Sequence, residues 1–228
     1  MIFITGDTHG NIDFQKLDDF AIKNKNLTKD DYMIIAGDAG IVWSEATLDV
    51  FSLMYSSLPF SILYIDGNHE NFDILNSMDI EIWNGGKVHK ITDHIIHLMR
   101  GQVFNICGLK FFTMGGATSI DKYMRREHIS WWSDENISSL DMKEAHENLE
   151  KVDYKVDIIV THSCSEDCLF YPNMRNKIYK FDAFRENKDL MYFQEKADYK
   201  MWYFGHYHID AKIDDKRRAL YNDIIRII

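Results

Sequence analysis

Several short, almost unbroken apolar runs mark this chain, and each of five stops at a polar turn. Ile2-Phe3-Ile4 runs into Thr5-Gly6-Asp7-Thr8-His9-Gly10-Asn11, and Tyr32-Met33-Ile34-Ile35 into Ala36-Gly37-Asp38-Ala39-Gly40. Ile62-Leu63-Tyr64-Ile65 leads to Asp66-Gly67-Asn68-His69-Glu70, and Ile158-Ile159-Val160 to Thr161-His162-Ser163. Met201-Trp202-Tyr203-Phe204 leads to Gly205-His206-Tyr207-His208. Runs with no polar interruption predict strands buried on both faces of a covered sheet. Ligands of open α/β sheets gather at the carboxyl ends of strands, so the five turns are predicted to converge on one rim.

Phe14, Leu17 and Ala21 recur at helical spacing after Asp13, which stands where a cap is useful, and a helix is predicted to cross between the first two strands. From His94 to Met114, Ile95-Ile96, Val103-Phe104 and Lys110-Phe111-Phe112 alternate with turns at Arg100-Gly101 and Cys107-Gly108, predicting antiparallel hairpins in a second sheet. Ala219 to Ile228 also reads as strand. No repeat, low-complexity tract or linker interrupts the chain, so residues 1–228 read as one domain. The polar connections 115–150 and 163–200 are the predicted walls or lid of a site.

Composition fits an ordinary globular protein: 46% hydrophobic and 27% charged residues, with only two prolines in 228. With 36 acidic against 26 basic residues, the net charge of −10 opposes extended nucleic-acid binding and adhesion to anionic lipid. Small phosphorylated substrates stay compatible, because divalent cations reverse the field inside a cleft. No apolar run reaches membrane-spanning length and no leader-like start is seen, so a cytoplasmic location without membrane contact is expected. Cys107, Cys164 and Cys168 cannot all pair, which predicts free thiols in a reducing compartment.

In Asp7-Thr8-His9, residues two apart on extended chain point the same way, so a carboxylate and an imidazole can meet one ion. His206 and His208 repeat that spacing, Asp38 follows a glycine, and Asn68-His69 sets a neutral carbonyl ligand beside an imidazole. Each alone is common in turns. His89, His94, His97, His128 and His146 read as satisfied or exposed side chains.

Taken together, Gly-Asp-x-His, Gly-Asp, Gly-Asn-His-Glu, Thr-His and Gly-His-x-His, from Gly6 to His208, resemble the motifs of the calcineurin-like metallophosphoesterase superfamily, which includes the Ser/Thr phosphoprotein phosphatases. The resemblance implies a four-layer α/β/β/α sandwich: two mixed β-sheets flanked by helices, with a metal site at the carboxyl ends of strands. It puts Asp7, His9 and His208 on one divalent ion and Asn68, His162 and His206 on another, with Asp38 as the bridge. Such ligands suit Mn²⁺, the first expectation, and also Fe, Zn²⁺, Ni²⁺ or Co²⁺. The implied activity is hydrolysis of a phosphate monoester or diester, on a small phosphorylated or nucleotide substrate, by in-line attack of metal-bound hydroxide. Asp38, Asn68 and His69 form the implied catalytic set, His69 meeting the leaving oxygen.

The stretch Gly37-Asp38-Ala39-Gly40-Ile41-Val42-Trp43 lacks the Asp-Arg-Gly element with which phosphoprotein phosphatases orient the acid histidine and grip phosphate. A phosphate-binding arginine is therefore sought in Gly115 to Arg126, where glycines precede hydroxyls and cations, and Arg125 is the candidate. A nuclease or phosphoprotein phosphatase is the alternative reading. A non-catalytic scaffold is the third, opposed by the complete ligand set. Trp131-Trp132 reads as a packing pair rather than a nucleobase platform. Cys164 and Cys168, with no second cysteine pair, read as packing thiols rather than a zinc site.

Overall fold

The computed structural model describes residues 1–176 and 184–228. In chain order its elements are β1 (Ile2–Thr5), α1 (Gln15–Lys23), β2 (Tyr32–Ile35), α2 (Glu45–Ser56), β3 (Ser61–Tyr64), α3 (Phe72–Leu75), β4 (Ile80–Trp83), β5 (Gly86–Thr92), β6 (Ile95–Leu98), β7 (Gln102–Ile106) and β8 (Leu109–Met114). Then follow α4 (Ser139–Glu150), β9 (Ile158–Thr161), α5 (Pro172–Arg175), α6 (Arg185–Lys196), β10 (Met201–Phe204), β11 (Ala211–Lys212), β12 (Arg217–Ala219) and β13 (Ile225–Arg226).

Seven strands in the order β13-β1-β2-β3-β6-β5-β4 form one mixed sheet, and six in the order β11-β12-β10-β9-β8-β7 form the other. Each has a parallel centre: β1, β2, β3 and β6 in the first, β12, β10, β9 and β8 in the second.

The alternation hidden inside each apolar run sorts its side chains between two cores. Ile2, Ile4, Ile34 and Leu63 of the first sheet pack with Phe111, Ile158, Val160 and Tyr203 of the second, forming the layer between the sheets. Phe3, Met33, Ile35, Ile62 and Tyr64 face outward onto Leu17 of α1 and Tyr55 of α2. Phe112, Ile159, Trp202 and Phe204 face outward onto Ala145 and Leu149 of α4 and Leu190 and Phe193 of α6. The result is an α/β/β/α sandwich. Helix ends follow local chemistry: Ser44 caps α2 by accepting from Thr47 N–H, and Ser138 with Asp141 closes a capping box on α4.

Three expectations are corrected. Asp13 does not cap α1, which begins after Phe14 with no side-chain cap, because the Asp13 carboxylate is engaged by His9. The strand Ile95–Leu98 belongs to the first sheet, parallel to β3, and of the stretch His94 to Met114 only β7 and β8 make a hairpin in the second. The chain changes sheets at Arg100-Gly101, where Gly101 has φ of 68° and an added Cβ would meet the Ala145 backbone at 2.8 Å. Of the closing stretch, only Ala219 at the end of β12 and Ile225–Arg226 are strand. Within the segment 163–200, residues 177–183 lie outside the described residues. No helix among the described residues is long and apolar enough to cross a membrane.

Candidate metal centre

Asp7, Asp38 and Asn68 stand just beyond β1, β2 and β3, which are neighbours in the first sheet, while His162 and His206 stand just beyond β9 and β10, neighbours in the second. The two rims therefore meet. His208 Nε2 lies 3.1 Å and His9 Nε2 3.9 Å from Asp7 Oδ2. Asp38 Oδ2 is 3.4 Å from His9 Nε2 on one side and 3.4 Å from His162 Nε2 on the other. His162 Nε2 is in turn 3.2 Å from Asn68 Oδ1, and the His206 ring stands edge-on to His162 at a centroid distance of 5.0 Å. The structure thus brings together all the residues that the resemblance names as ligands.

The backbone of these turns is unusual. His9, Asp38, His206 and His208 all lie in the left-handed region, with φ between 46° and 67°. A non-glycine residue there costs on the order of 1–3 kcal/mol, and such strain concentrates at functional sites. The turns are locked to one another: Thr8 and His9 N–H both donate to the Asp38 carbonyl, at 3.0 and 2.8 Å. Each carboxylate is held by one oxygen. Asp7 Oδ1 accepts from His206 N–H at 3.0 Å and Asp38 Oδ1 from His69 N–H at 2.7 Å. The close approach requires glycine, since a Cβ at Gly205 would sit 2.3 Å from Asp7 Oδ1 and one at Gly67 2.0 Å from Asp38 Oδ1.

The donor set fits a divalent cation. His162 Nδ1 lies 2.9 Å from the Ala36 carbonyl, which can only accept, so that nitrogen carries the proton and Nε2 turns a lone pair toward Asp38 and Asn68. His9 Nδ1 meets Asp13 Oδ2 at 2.7 Å, which leaves its Nε2 facing Asp7 and Asp38 in the same way. Asp7 Oδ2 is buried and accepts no hydrogen bond, although His208 Nε2 stands close, off the bonding direction. Lone pairs and carboxylate oxygens converging without donors are costly unless a positive charge stands among them. The carboxylates favour positive charge at this point: against burial, which lowers both, Asp38 and Asp7 hold His9 up to about 9 and His162 up to about 10, so a cation binds by displacing the Nε2 protons. The ligand atoms of Asp7, His9 and His208, and those of Asp7, Asp38 and His162, lie within 4.8 Å of one another in each group.

His69 is half-buried beside this cluster, its ring edge-on to His9 at 5.5 Å. Among the described residues no carboxylate side chain hydrogen-bonds its ring; Arg125 faces it, with Nη1 3.1 Å from His69 Nδ1 and Nη2 3.4 Å from Nε2, while Asp121 pairs with Nη2 at 2.8 Å. Burial lowers the His69 pKa, and the Arg125 charge acts in the same direction against the pull of Asp38. Arg125, predicted from its loop alone, therefore reaches the site.

Sequence reasoning missed the braces. Asp13 accepts from both His9 and the Tyr221 hydroxyl (3.0 Å), and the Tyr221 ring stacks on His208 at 4.8 Å and 16°. Lys16 donates to the carbonyls of Gly6, Asp7 and Tyr221, tying the first turn to the C-terminal segment. Glu70 is fully buried, accepts from Gly40 N–H at 3.3 Å, and is pushed well above the carboxylate range by burial and by Asp38. Its place in Gly-Asn-His-Glu was the one signal available. The geometry agrees with the bland readings of Trp132 and the cysteines, while Trp131 is half-buried with Lys122 Nζ over its ring at 5.9 Å. Trp132 is buried against Val42, Phe72 and Leu75, and Cys107, Cys164 and Cys168 are free. His89 and His97 are buried and bonded to each other at 3.1 Å.

Two facing mixed sheets whose rims pool Asp, Asn and His donors define an α/β protein with a candidate metal centre. The sequence profile of the calcineurin-like phosphoesterases matches residues 1–210, and the chain belongs to that family. Members of that family use divalent metals. No curated protein sequence matches the chain. Among solved structures it is similar to a putative 5'-nucleotidase from Staphylococcus aureus, determined in complex with alpha-ketoglutarate, at 14% identity and a TM-score of 0.47. That match covers 96% of this chain and 48% of the other, so the chain spans about half the length of that neighbour. It is also similar to phosphopantetheinyl hydrolase (PptH) from Mycobacterium tuberculosis, at 17% identity and a TM-score of 0.40, covering 96% of this chain and 87% of the other.

Proposed function

We propose that the chain is a dinuclear-metal phosphoesterase acting on a small phosphorylated or nucleotide substrate in the cytoplasm, as a single domain over residues 1–228. The observation that carries this reading is Asp38 Oδ2, equidistant at 3.4 Å from an imidazole of each ligand group. Asp7, His9 and His208 would hold one ion and Asn68, His162 and His206 the other, with Asp38 shared; Mn²⁺ is the first choice for the donor set. When bound, the ion pair supplies Lewis acidity toward a phosphoryl oxygen and an activated water for in-line attack at neutral pH.

The remaining work falls to side chains. Asn68 Nδ2 donates to Ser119 Oγ at 3.2 Å, which turns Oδ1 toward the cluster and fixes the amide. Arg125, the cation nearest His69, binds the equatorial phosphoryl oxygens and so holds the ester in line. His69 gives a proton or hydrogen bond to the leaving oxygen, a step worth about 10²–10⁴ in rate. The segment 115–150 walls the substrate through Arg125, and described residues of 163–200 back it, Glu186 accepting from Thr118 N–H at 2.9 Å.

The test is a parallel assay of an aryl phosphate monoester and diester on metal-stripped protein reloaded with Mn²⁺, Fe²⁺, Zn²⁺, Ni²⁺ or Co²⁺. Hydrolysis restored by at least one ion, and abolished by chelation, is expected, and the monoester to diester ratio assigns the substrate class. No metal-dependent hydrolysis of either ester overturns the proposal.

A further inference from the structure

Beside the centre lies a pocket of about 240 Å³ lined by His9, Asn11, Ile12, Gly40, Trp43, Phe51 and His69. We propose that this pocket receives a flat, uncharged ring carried by the leaving group of the substrate, an inference that rests on the phosphoesterase reading.

The pocket shares a wall with the reacting groups, because His9 and His69 line both. A group attached to the leaving oxygen near His69 therefore enters it directly. Apart from Asn11, its other walls are apolar and come from three separate places: the turn after β1, the loop after β2, and α2. Ile12, next to the first metal turn, is 76% exposed and serves no core, so its side chain is available to contact an occupant of the pocket. Trp43 is held edge-on by Trp132 at 5.7 Å and 80°, and its backbone carbonyl accepts from Asn71 Nδ2 at 3.0 Å. That leaves a fixed aromatic face tilted 38° to the His69 ring at a centroid distance of 6.4 Å. Phe51 lies against Gly10, where φ is 62° and an added Cβ would meet the phenyl ring at 2.8 Å, so the first metal turn and the pocket floor are built together.

Charge and size narrow the occupant. No Asp, Glu, Lys or Arg lines the pocket, although 27% of the chain is charged, so the occupying group is uncharged. Arg125, which meets His69, is not among the lining residues and is left for the phosphoryl end. Pockets that enclose whole drug-sized ligands measure roughly 300–1,000 Å³, so this one takes a single ring system rather than a dinucleotide or a peptide. Two rigid aromatic walls favour a ring over a flexible alkyl chain, which loses more freedom on binding.

The test uses paired probes on the Mn²⁺-loaded full chain: benzylphosphonate against ethylphosphonate for binding by calorimetry, and benzyl phosphate against ethyl phosphate for hydrolysis. The benzyl probe is expected to bind at least tenfold tighter. Ile12→Ser, at an exposed position that leaves folding intact, and Phe51→Leu should each cut that preference threefold or more. Equal affinity for the two phosphonates, or a preference undiminished in both variants, overturns the proposal. Equal affinities with ethyl phosphate hydrolysed would remove the pocket and leave the phosphoesterase. A ring preference lost in the variants, with no ester hydrolysed, would keep the pocket and remove the phosphoesterase reading.

Discussion

Asp13 Oδ2 lies 2.7 Å from Nδ1 of His9, four residues earlier, and the same carboxylate accepts from the Tyr221 hydroxyl, 208 residues later. This bond fixes which His9 nitrogen keeps its proton, and Tyr221 carries the constraint on to His208 by stacking on its ring. Both histidines belong to the ligand group of Asp7.

Asp13→Ala should therefore weaken metal binding at that group by about 10–100-fold, the usual effect of losing an outer-shell partner of a ligand histidine. Asp13→Asn, which still offers an acceptor oxygen, should lose less. Titration of apo protein with Mn²⁺ measures both, and an unchanged affinity in the alanine variant would show that His9 needs no brace.

His69 faces the leaving oxygen in the proposed reaction, so its removal should matter most when that oxygen departs as a strong base. His69→Ala is expected to slow hydrolysis of an alkyl phosphate by about 10²–10⁴, and that of a nitrophenyl phosphate far less. Steady-state kinetics on the two substrates supplies the ratio; equal slowing on both would end the proton-donor role.

The site was more legible than the fold around it, and the reason is local. Asp7, Asp38, Asn68, His162 and His206 each sit one to four residues past a strand whose apolar run is continuous, so position along the chain encodes position on the rim. Asp13 was misread because one carboxylate at a helix start suits a cap and a histidine partner equally, and only His9 in space decides between them. Ile95–Leu98 was assigned to the wrong sheet because a hairpin-like pattern does not say which sheet receives each strand. β4 escaped notice because its isoleucines face solvent, Ile80 at 56% and Ile82 at 72% exposure, so no buried alternation marks it. Tyr221 could not be foreseen, since its contact with His208 depends on how the C-terminal segment returns to the rim.

Where the chain changes sheets, Arg100 donates through Nε to Asp66 Oδ2 at 2.8 Å and through Nη1 to the Asn136 carbonyl at 2.9 Å. Asp66 is buried, and despite that burial the Arg100 charge and His97 hold its carboxyl well below the usual range. The pair lies two residues before Asn68 and supports that turn from beneath. Arg100→Met would leave the buried Asp66 charge with only the His97 N–H as a partner, which costs up to about 3–5 kcal/mol. A corresponding fall in the urea midpoint is expected at neutral pH. Asp66→Asn with Arg100→Met should recover part of it, and a double variant no more stable than Arg100→Met would contradict the charge argument.

His89 and His97 face each other across β5 and β6, with rings stacked at 5.3 Å and Nδ1 atoms 3.1 Å apart. His97 Nε2 points at Asp66 Oδ1, 3.2 Å away, and must carry a proton there because a carboxylate only accepts. In the neutral pair, His97 Nδ1 is then the acceptor and His89 Nδ1 the donor. Protonating both rings would set two N–H groups against each other. Burial, with the His97 charge second, lowers the His89 pKa to about 4. The unfolded chain takes up a proton near the ordinary value of about 6.5 that the folded chain refuses until about 4. The contribution is thus intact above about pH 6.5 and is lost as pH falls through that window, by roughly 2 kcal/mol between pH 7.5 and 5. His89→Gln keeps a donor without the titration, so its stability should fall less over the same interval. Asp66 titrates in both proteins and cancels in the comparison. Urea unfolding of the two proteins at pH 7.5 and 5 measures the difference, and an equal loss in both would mean that His89 is not what makes the fold acid-sensitive.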